Sequence, residues 1–123
     1  MAFTLGVGPA ITPATGGADA TTVSVVLSGT TAGRSLVAVV GNNTSGRTIT
    51  SATCTGESNL TAHGSMFGNA GVGVFQQVLS LANITAGGDK TITITFSGNT
   101  GQRSIWVAEF ICGDTTSLFS GLN

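Results

Sequence analysis

Strict alternation of apolar and hydroxyl residues marks Lys90–Ser97 (KTITITFS), where Ile92, Ile94 and Phe96 fall on one side and Thr91, Thr93 and Thr95 on the other. Successive side chains of a strand point to opposite faces, so this segment predicts a strand with one buried and one wet face. Thr22–Ser28 repeats the pattern, with Val23, Val25 and Leu27 together. Within Ser35–Val40, Leu36 to Val40 are apolar on both faces, which predicts a strand covered from two sides. Val72–Leu81 alternates in part, setting Val72, Val74 and Gln76 opposite Phe75 and Gln77. Arg103–Ile111 places Ile105, Val107, Glu109 and Ile111 on one face and Trp106, Ala108 and Phe110 on the other. With Phe3–Val7, Arg47–Cys54 and Leu60–His63, the chain holds about eight strand-like runs.

Turn chemistry separates them: Gly33, Gly41–Gly46 (GNNTSG), Gly56–Ser58, Ala86–Asp89 and Gly98–Gln102. Pro9–Ala20, with both prolines and a Gly-Gly pair, reads as a long loop, and Gly64–Gly71 as a Gly-rich loop carrying Met66 and Phe67. No stretch shows amphipathic helical periodicity, and there is no internal repeat. These features predict an all-β fold, a two-sheet antiparallel β-sandwich of jelly-roll-like form, built from residues 1–123 as one domain.

Composition sharpens the reading. The 123 residues are 41% hydrophobic but only 7% charged, against about 25% in ordinary globular chains. Polarity comes instead from twenty Thr, twelve Ser and nineteen Gly. A chain so rich in β-branched residues and so poor in charge is not a disordered one. The net charge is -1, and the four basic residues, Arg34, Arg47, Lys90 and Arg103, are dispersed. No basic stripe can follow a phosphate backbone, which argues against nucleic acid as a partner. A charge near zero is a solubility liability for a free monomer and favours a protein that lives in an assembly.

No apolar run approaches the roughly 18 residues of a membrane span, and Met1–Pro9 has neither the positive region nor the apolar core of a signal peptide. Cys54 and Cys112 lie far apart with no metal spacing and read as free, buried thiols, with a bridge left open if folding brings them together.

Catalytic chemistry is hard to assemble from this inventory. His63 is the one histidine, and it reads as an ordinary loop residue. The acids Asp19, Glu57, Asp89, Glu109 and Asp114 stand singly, without the paired carboxylates of a glycosidase. Glu109, on an apolar face, is either a perturbed buried carboxylate or a rim residue that is solvated or paired with an arginine; the rim reading is preferred. Gly71-Val72-Gly73 lacks the third glycine of a dinucleotide loop, since Gln76 stands there, and no phosphate-binding Gly-Lys-Ser/Thr follows. Calcium loops are missing too. The expectation is therefore a protein that is not an enzyme, with no catalytic residue, cofactor or metal assigned. Trp106, alternating with Ala108 and Phe110, reads as core rather than as an exposed platform for sugar rings.

Large apolar residues near both ends are the strongest candidates for a contact surface. Phe3 and Leu5, with Leu118, Phe119 and Leu122, stand where domains are usually frayed and polar. Met66 and Phe67 join them as candidate interface residues. The competing reading is that each end adds a strand or plug to its own sandwich.

Four segments between Leu36 and Asp114 carry a resemblance: SLVAVVG, ITSATCTGESNLTAHG, NITAGGDKTITITFSG and IWVAEFICGD. Together they resemble the small β-sandwich domains of bacteriophage structural proteins, departing at Leu60, where the pattern has an aromatic. Such domains recur in capsid decoration (cement) proteins and in tail-fibre or receptor-binding parts. No coiled-coil or repetitive shaft accompanies this one, which favours decoration. The resemblance implies a virion protein, made in the host cytoplasm and carried on the outer capsid surface. Its partners would be the major capsid protein and itself, as a dimer or trimer. The alternative it leaves open is a tail-fibre, host-attachment or glycan-binding module.

Overall fold

The computed structural model describes residues 4–6, 10–12 and 20–111. Its strands, in chain order, are β1 (Thr4–Leu5), β2 (Ala10–Thr12), β3 (Ala20–Thr30), β4 (Ser35–Asn42), β5 (Ile49–Cys54), β6 (Thr61–Asn69), β7 (Val74–Leu81), β8 (Gly88–Thr100) and β9 (Arg103–Ile111). There is no helix among the described residues. All pairings are antiparallel. The smaller sheet has the order β3-β8-β5; the larger runs β1-β9-β4-β7-β6, with β2 also on β9.

Register turns the alternation into layers, because residues directly opposite one another share a face. In the smaller sheet Val23, Ile94 and Ala52 form one inward row and Val25, Ile92 and Cys54 the next. In the larger sheet the inward rows are Ile105, Val40 and Gln77, then Val107, Ala38 and Leu79, then Glu109, Leu36 and Leu81. The apolar members of these rows form one buried cluster shared by the two sheets. The outward rows of the smaller sheet, Thr22-Thr95-Ser51 and Ser24-Thr93-Thr53, carry hydroxyls. The buried side of KTITITFS is therefore the expected one: Ile92, Ile94 and Phe96 are in the core.

The expectations need correction in several places. Pro9–Ala20 is not wholly a loop, since Ala10–Thr12 pairs with Thr12 opposite Ile105 and Ala10 opposite Val107. This short strand lies at the edge of the sheet, where β9 supplies its whole ladder. Gly64–Gly71 is not a loop either, because β6 continues to Asn69. Ala10–Thr12 brings the strands among the described residues to nine, against the eight or so expected. Trp106 is half-buried and stands opposite Val39 on the outward side of the larger sheet, not in the shared core. Ile84, in the β7–β8 connection, is completely buried and was not anticipated; its amide donates to the Arg34 carbonyl at 2.7 Å and its carbonyl accepts from Gly33 at 2.8 Å.

Candidate binding cleft and docking edge

Little of the described charge is free at the surface. Arg34 and Glu109 pair at 2.6 Å, with the Glu109 side chain completely buried. Glu109 also accepts from the Thr31 amide at 2.5 Å. The rim reading thus had the partner right and the exposure wrong. Glu109 continues the inward row of Ile105 and Val107, and the arginine reaches in to it. Lys90 and Glu57 form a second buried pair at 2.7 Å. Burial pushes the Glu57 carboxyl up, but hydrogen bonds from Lys90, from the Thr85 amide and hydroxyl, and from the Ala86 amide outweigh it and hold the pKa at about 2. The sequence signal for this pair is that Lys90 occupies the same alternation as Ile92 and Ile94. Four of the seven charged residues described are consumed in these two pairs. Asp89 accepts from the Gly29 amide at 3.0 Å.

Cys54 is free and buried. Burial raises its thiol pKa, Lys90 lowers it and Glu57 raises it, with a net shift upward that keeps the thiol protonated. His63 lies in β6 rather than in a loop, with Nε2 2.7 Å from the Ser80 hydroxyl. No group of three or more His, Cys, Asp or Glu is placed to hold a metal ion among the described residues.

The expected interface residues separate. Leu5 is 50% and Ile111 44% exposed, on neighbouring strands at the β1–β9 edge, where Thr4 stands opposite Ile111 and Leu5 opposite Phe110. Phe67 is 63% exposed at the opposite edge, on β6. Met66 is half-buried against the core, and its sulfur accepts from the Asn42 side-chain amide at 2.8 Å. Phe3, Leu118, Phe119 and Leu122 lie outside the described residues.

A cleft of about 450 Å³ opens beside β6, lined by Arg47, Thr48, Ser65, Met66, Phe67 and Phe75 along with Gly46 and Gly68. Its origin is a bulge. His63 stands opposite Val78, but the next pair is Phe67 with Gln76, so β6 carries two extra residues against β7. Gly64, at φ +66°, supplies the left-handed turn this needs, and its carbonyl accepts from Nε2 of the buried Gln77 side chain at 2.6 Å. Gly68 is required for a different reason: a Cβ there would run into the Val74 carbonyl and the Phe75 backbone and ring. Arg47 is anchored by donating from Nε to the Asn99 carbonyl at 3.1 Å. Its guanidinium lies over Gly98, where an added Cβ would stand 2.9 Å from the guanidinium carbon. No described carboxylate pairs with it.

A smaller hollow of about 140 Å³ includes Asn42, Asn43, Gln76, Gln102 and Arg103. There Asn43 Oδ1 already accepts from the Thr100 hydroxyl at 2.9 Å and the Gln102 amide at 3.0 Å, so much of its polarity holds the turn together.

No protein-family model, curated protein or solved structure matches the chain.

Proposed function

We propose that this chain is a non-catalytic virion structural protein, a capsid decoration (cement) protein that binds the major capsid lattice on the outer surface and self-associates there. The observation that supports this most is the β1–β9 edge, where Leu5 and Ile111 are exposed on adjacent strands, one on each face of the sheet, with few free charges among the described residues. Covering such an edge removes apolar surface from water at about 25 cal/mol per Å² while desolvating no ion. The proposed form is jelly-roll-like: from β3 to β6 every step along the chain crosses to the other sheet. A protein that binds only the assembled shell stabilises it by mass action.

Co-sedimentation of the purified chain with capsids that lack it tests the proposal. The intact chain should bind, and Leu5→Asp with Ile111→Asp should abolish binding while leaving the far-ultraviolet circular dichroism unchanged. Equal binding by the double variant would remove the edge from the mechanism. The cleft beside β6 favours a second reading, a host-attachment or glycan-binding module.

A further inference from the structure

We propose that the cleft at the β6 bulge binds an acidic sugar residue of a polysaccharide, its carboxylate on Arg47 and its ring face against Phe75. This deepens the second reading, of the same cleft as a glycan-binding site, and rests on it; capsid docking uses the opposite edge of the same sheet and is independent of it.

The cleft volume of about 450 Å³ falls within the roughly 300–1,000 Å³ of small-molecule sites. Arg47 is the source of specificity. Its planar guanidinium is held in place by the Asn99 carbonyl and the bare backbone of Gly98, and it has no described carboxylate partner. A guanidinium fixed in this way matches a carboxylate with two parallel hydrogen bonds, and prior fixation lowers the entropy lost on binding.

The remaining lining selects the rest of the ligand. Phe75, on the inward side of β7 opposite Gly68, is half-buried, so aromatic surface is available to an apolar ring face. Thr48 and Ser65 add uncharged hydroxyls, which suit ring hydroxyls. A sugar acid carries all three features: a carboxylate, a C–H face and hydroxyls. An acidic peptide side chain offers the carboxylate alone and would leave the aromatic surface uncovered.

The test is an NMR titration of the full-length chain with D-glucuronate, D-glucose and N-acetylglutamate. Glucuronate should shift the amide signals of residues 46–48 and 64–75, with a Kd at least about tenfold below that of glucose. Arg47→Gln should bring the two sugars level. Gly98→Ala, which displaces the guanidinium without removing it, should recover only part of the preference. Thermal melts of each variant check that folding is retained, and Phe75→Ala gives an independent loss of affinity for both sugars. Absence of binding by glucuronate, equal binding of glucose, or an unchanged preference in Arg47→Gln would overturn the proposal. Binding of N-acetylglutamate as tight as that of glucuronate would replace it with an acidic-peptide site. None of these outcomes touches capsid docking, which is read on particles.

Discussion

Arg34 and Glu109 meet at 2.6 Å, although 75 residues separate them in the chain. The carboxylate is completely buried on the inward side of β9, while the arginine side chain keeps 30% of its surface in solvent. Removing the cation alone leaves a buried negative charge answered, among the described residues, by the Thr31 amide. Arg34→Met should therefore cost about 3 kcal/mol, the lower end of the range for breaking a buried pair, because the arginine is partly solvated. Glu109→Leu added to it should recover part of that loss. Urea unfolding of the single and double variants reads the difference directly.

Acid should act chiefly through Glu57. Its carboxyl is held at about 2 in the folded protein, against an ordinary value of 4.5. The unfolded chain therefore takes up a proton that the folded chain refuses. The stability this contributes is complete above about pH 4.5 and is lost as pH falls toward 2. Glu57→Gln should flatten that acid limb of stability while lowering stability at pH 7. Thermal melts from pH 7 to 2 check both halves.

The core of the smaller sheet offers a contrast between its faces. Phe96 is 2% exposed, so Phe96→Ala should cost about 3–5 kcal/mol. Thr93 faces outward, its hydroxyl 2.8 Å from that of Ser24; Thr93→Ser keeps the hydroxyl and should cost under about 0.5 kcal/mol. Chemical denaturation of the two variants should show this order.

Cys54 should be slow to react. Its thiol is buried and its pKa is raised, so native protein carrying Cys112→Ser should resist iodoacetamide until it is unfolded. Mass spectrometry of samples labelled with and without urea measures the ratio. Rapid labelling of the native protein would contradict the burial.

Gly68 should be the least tolerant glycine of the cleft. A methyl group there meets β7 backbone, which has no room to move within a paired ladder. Gly68→Ala should lower the melting temperature and shift the amide signals of Val74 and Phe75. Gly46→Ala, with open space around its Cβ but φ +74°, should act only through backbone strain and cost about 1 kcal/mol.

The alternation in β3, β8 and β9 was legible because a strand's two faces are written in neighbouring residues. Val23, Val25 and Leu27, like Ile92, Ile94 and Phe96, declare a buried side without reference to any partner. The same local logic read β4 as covered on both faces, whereas Leu36, Ala38 and Val40 are buried and Val37 and Val39, on the outward side, are only half-buried. It stopped at Gly64, where two extra residues break the period and the glycines of β6 carry no side chain to report a face. It stopped also at Ala10–Thr12, three residues whose strand character comes entirely from the ladder offered by β9. The pairing of Lys90 with Glu57, 33 residues apart, and of Arg34 with Glu109 belongs to the same class. Burial periodicity is set within a few residues, whereas the choice of partner is made only when distant segments close on one another, and the cleft beside Arg47 exists only after that closure.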